Sequence, residues 1–206
     1  MSHSEMTLIA GTESTWSLRV WMCFQLLKQP VQLEVINLAA PGHVSRVMRQ
    51  SQSGLVPVLK TEHGAIHDSL AIIEYLNERF DGALYPESTS ERALARSLCA
   101  EVHAGFNNLR AHCGFSVKPV APMTQRPMEL SDELQRLERI FARAKGRFMF
   151  AKPGAVDTMF AITAYRLESY GIQLNGMAAN YQKSLIEWPL LQQTLAEGRR
   201  WLTVAE

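Results

Sequence analysis

Cysteine is scarce in this chain of 206 residues. Cys23, Cys99 and Cys113 are an odd, widely spaced set, with no CxxC and no cluster of Cys and His. That pattern gives neither a disulfide framework nor a metal site. A reduced, cytoplasmic protein with packed thiols is the expectation, and Cys23 lies in a helical apolar stripe. No sign of charge predominates: 21 Lys and Arg stand against 20 Asp and Glu, a formal net charge of +1. A basic footprint for nucleic acid or an anionic membrane is therefore missing. No apolar run approaches the roughly 20 residues that span a bilayer. Met1–Glu5 is polar without a basic n-region, so no signal peptide is expected. There is no internal repeat, and without G-x-S-x-G a Ser-His-Asp hydrolase is disfavoured. What remains is ample material for a core. With 47% hydrophobic and 20% charged residues, the chain can fold as one large domain or two small ones.

Hydrophobic periodicity divides the chain. Thr7–Ala10 is a short apolar strand candidate. Val20, Cys23, Phe24 and Leu27 then fall at i, i+3, i+4 and i+7, one helix face, which Pro30 closes. Val31–Asn37 alternates as a half-buried strand does. His43–Gln50 suits a short helix. Val56–Leu59 and Ala65–His67 read as strands around the turn at 62–64. Ile72, Ile73, Leu76 and Phe80 mark a further helix with Ser69 as its N-cap. The order is βαβαββα. Residues 81–90, with Gly82 and Pro86, form a linker. Ser88 and Glu91 have capping-box spacing. One long helix is expected to carry Leu94, Leu98, Val102, Phe106 and Leu109. A proline-rich loop follows at about 114–129. Helical stripes then run over Leu130–Ala144 and Val156–Leu167, and Trp188–Gly198 is a final short helix. An α/β domain over 1–80 and an all-α domain over 91–206 result.

Three segments carry chemistry. Ser14-Thr15-Trp16-Ser17 lies between the first strand and the first helix, at the strand's carboxyl end, where α/β sheets bind ligands. A hydroxyl there, with the helix N-terminus, favours an anion and lowers the pKa of a thiol that it touches. The plainer role for Ser14 is an N-cap. In Gly54-Leu55-Val56-Pro57 the proline opens a strand where no ladder donor is needed. A trans bond is the expectation from the residues alone; a cis bond would turn the Val56 backbone outward to pair with an extended peptide-like ligand. Asp68-Ser69 stands directly before a helix. Its hydroxyl and free N–H groups suit a carboxylate, and its acid suits an ammonium, together an α-amino-acid head group; a simple cap is the alternative.

These segments, in this order, resemble the cytosolic glutathione transferase superfamily over essentially the whole chain. Ser14–Trp21 (STWSLRVW) is similar to the S-S-x-S-x-R serine motif of zeta-like bacterial members. Ser53–Leu59 is similar to the family's cis-proline segment, and Asp68-Ser69 with Ala71–Leu76 to its γ-glutamyl-binding segment. The resemblance implies a thioredoxin-like domain followed by a helical bundle, and glutathione as co-substrate without a metal. It implies Ser14 at the glutathione sulfur, with Thr15 and Ser17 as second choices. Val56, held by Pro57, would pair with the cysteinyl part, and Asp68 and Ser69 would hold the γ-glutamyl end. It places the acceptor site against the helical domain, where His103, Phe106, Asn107 and Arg110 share a face, and Arg110 suits an acidic substrate. It also implies a homodimer and the conjugation chemistry of detoxification.

This sequence departs from the family in places. Gln52 and Leu55 stand where a proline and often a lysine are usual near the cis-proline turn. The glycyl carboxylate is then left to His43, Arg46 or Arg49. Trp16 replaces the cysteine of the zeta motif, so maleylacetoacetate isomerase activity does not follow. Gly154 replaces the hydroxyl residue of the capping box that ends at Asp157, which is read as structural. The resemblance implies a glutathione-dependent transferase or isomerase acting on a small electrophile. A non-catalytic glutathione-binding module of the same fold is the alternative.

Overall fold

The computed structural model of the protein describes residues 6–204, so the Met1–Glu5 segment, where no leader is expected, lies outside the described residues. The first elements are β1 (Thr7–Gly11), α1 (Thr15–Leu26), β2 (Gln32–Ile36), α2 (His43–Met48), β3 (Val58–Thr61), β4 (Gly64–His67) and α3 (Ser69–Arg79). This is the order that the periodicities predict. The rest of the described chain is helical: α4 (Thr89–Ala104), α5 (Asn107–His112), a 3-10 turn at Met128–Leu130, α6 (Ser131–Phe141), α7 (Ala155–Ser169), α8 (Gly176–Ile186) and α9 (Pro189–Val204). No described helix is long and apolar enough to cross a membrane. The chain divides into two compact units, Met1–Leu84 with Gln193–Glu206, and Tyr85–Gln192. α9 thus starts in the second unit and is grouped from Gln193 onward with the first. It runs past Gly198, its expected end, because a single glycine costs a helix only about 1 kcal/mol and Trp201 beyond it is buried.

In the first unit the sheet order is β2-β1-β3-β4. β1 and β2 are parallel, joined by the α1 crossover, with Thr7 opposite Gln32 and Gly11 opposite Ile36. β3 runs antiparallel to β1, and β3 and β4 form a hairpin. Every residue of α1 from Ser17 to Phe24 is buried, as in a helix apolar all round, so the single stripe seen in the sequence understates its burial. α1 packs on β1 and α3. Ile9, Ile36, Val47 and Val58 form a core cluster, and Leu38 and Val56 pack against it.

The second unit is organised around α7, buried from Ala155 through Ala164. The Phe141 ring meets Phe160 and Tyr181 edge-on, at 5.3 and 4.9 Å between centroids. Asp157 is buried and accepts from the Met149 N–H (2.8 Å), the Gly154 N–H (2.9 Å) and the Tyr181 hydroxyl (2.7 Å). Its reach back to Gly154 is one half of a capping box; glycine has no hydroxyl for the other half. Burial pushes the Asp157 carboxyl up, against the lowering effect of its hydrogen bonds. Burial and the neighbouring carboxylate push the Tyr181 phenol well above its ordinary value. The capping box expected at Ser88 and Glu91 is not formed. Ser88 Oγ instead meets Ser90 Oγ at 3.1 Å, and Glu91 pairs with Lys145, whose charge competes for it.

Tyr181→Phe removes one donor from the buried carboxylate and is expected to cost about 1–3 kcal/mol of stability in a denaturant titration. The folded protein holds the Tyr181 proton above the ordinary phenol value of 10.0, where the unfolded chain releases it. Stability therefore falls as pH rises past that value. In Tyr181→Phe that alkaline fall is shallower; an unchanged slope would assign it to other groups.

Candidate functional site

The sheet register brings the three sequence segments to one edge. Ile9 is paired with Val58 in antiparallel sense, so the chain continuing from Ile9 to Gly11 runs beside the stretch from Val58 back to Val56. Val58 is also opposite His67, so Asp68 and Ser69 leave β4 beside Pro57. Gly11 is where the first two segments touch. A Cβ there would lie 2.6 Å from Leu38 Cδ1 and 2.8 Å from Val56 Cγ2, closer than such atoms approach. Glycine at this position is required by the close approach of two side chains.

The serine turn is a closed hydrogen-bond cycle. Ser14 is the N-cap of α1, and its Oγ accepts from the Ser17 N–H (3.2 Å) and the Ser17 hydroxyl (3.0 Å). Ser17 Oγ accepts from the Gly11 N–H (3.2 Å), and the Ser14 N–H donates to the Gly11 carbonyl (3.2 Å). A serine oxygen has two lone pairs and one proton. Both acceptor positions of Ser14 are filled, so its O–H is the part left to donate. Ser14 keeps 9% exposure and Ser17 none. Ser17 thus supports Ser14 from behind, and Thr15, half-buried, opens the helix beside it. Capping through the Ser14 oxygen leaves its hydroxyl proton available to a further acceptor.

The Val56–Pro57 peptide is cis, where the residues alone favour trans. β3 begins at Val58, two residues later than the apolar run suggests, so the Val56 backbone stands ahead of the ladder. Asp68, not Ser69, is the N-cap of α3: its Oδ1 accepts from the Leu70 N–H (2.8 Å) and the Ala71 N–H (3.2 Å). The carboxylate reaches the second and third helical N–H groups, which displaces Ser69 into the first helical position. Asp68 holds φ 74 and ψ 129, a conformation that a side-chain-bearing residue adopts at a cost and that clusters at ligand sites. Ser69 is 2% exposed, and its hydroxyl has no hydrogen-bond partner among the described residues.

The three basic candidates separate. His43 Nδ1 lies 3.0 Å from the Ala40 carbonyl, and Arg49 is exposed at the end of α2. Arg46 donates through Nη2 to the Asn37 carbonyl (3.4 Å), and its Nε has no partner among the described residues. Asn37 directly follows β2, and its neighbours bond to the serine turn: Thr12 N–H to the Ile36 carbonyl and Leu38 N–H to Thr12 Oγ1, both 3.0 Å. Arg46 is therefore the candidate cation at the carboxyl edge of the sheet. Sequence reasoning also passed over Arg19. It is 4% exposed, with its guanidinium carbon 4.5 Å from the Trp16 ring centroid, a pairing readable only from the i, i+3 spacing.

In the second unit, the shared face expected for His103, Phe106, Asn107 and Arg110 does not form. α4 stops at Gly105, where a Cβ would sit 2.8 Å from the Glu101 carbonyl, and Phe106 turns to φ 60. Phe106 is buried under the Arg136 guanidinium (5.1 Å), and Asn107 opens α5 exposed. Arg110 donates through Nη2 to the carbonyls of Val102 (2.7 Å) and His103 (2.9 Å), closing the end of α4. Burial lowers the Arg110 pKa, with Glu133 opposing. Arg166, missed in the sequence, is a buried cation of α7 just past its buried run; it is 8% exposed and donates to the Cys113 carbonyl. Burial lowers its pKa, and the nearby Arg110 charge lowers it further. Among the described residues no three His, Cys, Asp or Glu side chains gather as a metal site.

Residues 13–79 match the family model of the glutathione S-transferase N-terminal domain. A probable maleylacetoacetate isomerase of Vibrio cholerae is 33% identical over 105 residues, 47% of this chain and 48% of that protein. A glutathione S-transferase of Pseudomonas putida is 31% identical over 102 residues, 46% of each. The chain thus spans about half the length of the curated relatives it matches. A solved glutathione transferase homolog from Burkholderia with bound glutathione superposes with a TM-score of 0.72 at 21% identity, covering 95% of this chain and 98% of that one. A bacterial zeta-class maleyl pyruvate isomerase gives 0.71 at 19%, covering 91% and 95%. At such identities these two structures show a shared fold.

Loss of the Ser14 hydroxyl removes an N-cap, and loss of the Ser17 hydroxyl leaves the Gly11 N–H unpaired. Each of Ser14→Ala and Ser17→Ala is expected to lower stability by about 1–2 kcal/mol in a urea titration. A wild-type midpoint for Ser17→Ala would show that the cycle does not hold the turn.

Proposed function

We propose that this chain, a member of the cytosolic glutathione S-transferase superfamily through its N-terminal domain, binds glutathione along the sheet edge and uses it to conjugate or isomerise a small electrophile. The observation that carries this reading is the register that sets Gly11, Val56 and Asp68 side by side. The residues present fit such a tripeptide. A spare donor at Ser14, an unpartnered Ser69 hydroxyl and a Gly11 without Cβ all lie along that edge.

Bound glutathione supplies a thiol whose ionised form is the nucleophile. Ser14 donates its free O–H to that sulfur, and the α1 N-terminus adds its partial positive charge. A pKa lowered by about two units corresponds to about 2.7 kcal/mol of preference for the thiolate. Ser17 and Gly11 hold the Ser14 oxygen in place. The Val56 backbone, set by Pro57, pairs with the peptide. Asp68 and Ser69 take the γ-glutamyl end, and Thr15 lines the start of the helix. Arg46 takes the glycyl carboxylate. With a net charge of +1, binding an anionic peptide rests on these local groups.

Isomerisation of an acidic substrate is a second reading, favoured by Arg110 and Arg166. Arg166 is a buried cation whose hydrogen-bond partner is a carbonyl, and Arg110 lies near enough to repel it. An anion there would relieve that repulsion. His103, Phe106 and Asn107 flank Arg110 in sequence and are the further candidates for this acceptor site. A homodimer is supported by an apolar patch in the first unit. Val44 and Met48 are exposed one turn apart on α2, Gly54 packs against Met48, and Leu55 is 71% exposed. The three cysteines are free and buried, which suits the cytoplasm.

Calorimetric titration is expected to show glutathione binding at or below millimolar concentration, and absence of binding there refutes the reading. Arg46→Ala is expected to weaken that binding about tenfold or more, since a hydrogen bond to a charged group is worth about 1.5–3 kcal/mol. Arg49→Ala leaves it unchanged. In sedimentation, Leu55→Glu is expected to shift the protein from dimer towards monomer.

A further inference from the structure

We propose that the groove between the end of α7 and one face of α8 binds a small organic ammonium ion, with Glu168 as its counter-ion and Ala179 and Ile186 against its apolar body. The groove lies wholly within the second unit and has a volume of about 380 Å³. Small-molecule sites span roughly 300–1,000 Å³. None of its residues takes part in the chemistry proposed above, so this inference stands apart from the glutathione reading.

Hydrogen bonds fix the walls. Gly171 turns the chain at φ 71 after α7, and the N–H groups of Gly171 and Ile172 close back on the carbonyls of Glu168 (2.9 Å) and Leu167 (2.8 Å). Gln182 of α8 is 3% exposed; its Oε1 accepts from the Leu174 N–H and its Nε2 donates to the Ile172 carbonyl, both at 2.9 Å. Each of those amide atoms keeps one further hydrogen-bonding position, and Gln182 lines the groove. Ala179, Gln182 and Ile186 stand at i, i+3 and i+7, so a single face of α8 forms the floor.

Charge selects the ligand. Glu168 stands in the last turn of α7, where the helix end carries partial negative charge and an acid is unfavourable. Glu168 reaches solvent, yet partial burial pushes its carboxyl above the ordinary value, and no charge or hydrogen bond among the described residues offsets this. The cations close by in the chain are engaged elsewhere. Lys183 pairs with Glu187 on its own helix at 3.7 Å, and Arg166 donates to the Cys113 carbonyl. Asp157, the buried acid of the same helix, collects donors from Met149, Gly154 and Tyr181; the Glu168 carboxylate collects none. An ammonium ion supplies the missing opposite charge, whereas an anion of the same shape adds to the repulsion. Ala179 and Ile186 give the ligand's carbon skeleton apolar surface to cover.

Phenethylammonium, phenylpropionate and phenethyl alcohol share a ring and a short chain and differ in charge. Their binding is followed by calorimetry and by backbone amide shifts in isotope-labelled protein. The ammonium compound is expected to bind wild type at millimolar concentration, with shifts confined to the groove, and phenylpropionate about tenfold more weakly or not at all. Glu168→Gln is expected to weaken the ammonium compound about three- to tenfold, to leave the alcohol unchanged, and to keep the wild-type circular dichroism spectrum. Ala179→Phe fills the groove and is expected to weaken the ammonium compound and the alcohol alike. Equal affinity for the ammonium and carboxylate compounds, unchanged ammonium affinity in Glu168→Gln, shifts outside the groove, or absence of binding to wild type at millimolar concentration overturns the proposal. Failure of wild type to bind glutathione overturns the earlier reading and leaves this one standing.

Discussion

The serine turn depends on the hydrogen bond from the Gly11 N–H to the Ser17 hydroxyl. It ties the last residue of β1 to the third residue of α1, across the turn that carries Ser14. Ser17 Oγ receives that bond and donates its own proton to Ser14, so the Ser14 oxygen is a filled acceptor that keeps its own proton. The same glycine has no Cβ, so Val56 and Leu38 close over it. One residue thus fixes the serine turn through its backbone and admits the cis-proline segment through its missing side chain. A larger residue at Gly11 would push those two segments apart, and with them the groups that a peptide ligand would bridge.

The edge also carries local costs that the rest of the first unit must offset. Asp68 sits at a positive φ, and the Ser69 hydroxyl is buried without a partner among the described residues. Both features destabilise the protein alone and suit a ligand that supplies the missing partner. The second unit shows the opposite arrangement. There Asp157 collects donors from Met149, Gly154 and Tyr181, and Arg110 closes the end of α4. Its polar groups are mostly spent on structure, with the Arg110–Arg166 pair as the place where like charges remain close.

Much of this was legible in the chain. Alternation and i, i+3, i+4 spacing marked the βαβαββα order, since each depends on neighbours a few residues away. The three candidate segments could be picked out for the same reason, as short runs of particular residue types. The failures share a different cause. The long helix through Phe106 breaks because Gly105 lies against its own helix's Glu101 carbonyl and Phe106 takes a left-handed turn. The Ser88–Glu91 box is lost because Lys145, far along the chain, claims the carboxylate. Asp68 rather than Ser69 caps α3 because its carboxylate reaches two backbone N–H groups at once.

By itself, the sequence determined the βαβαββα order of the first unit, the free cysteines, the absence of a dominant charge, and the residue types at each candidate position, while α5 and α8 were not foreseen. These follow from local periodicity and composition. Only the tertiary structure decided which serine oxygen accepts both turn hydrogen bonds, which of three basic residues bonds to the Asn37 carbonyl after β2, and that the Arg19 guanidinium lies over the Trp16 ring. It also decided that Arg110 serves as a cap and that Arg166 is a buried cation beside it. Each of these depends on strand register or on a side chain's neighbours in space, and distance along the chain says little about distance across a sheet or between helices.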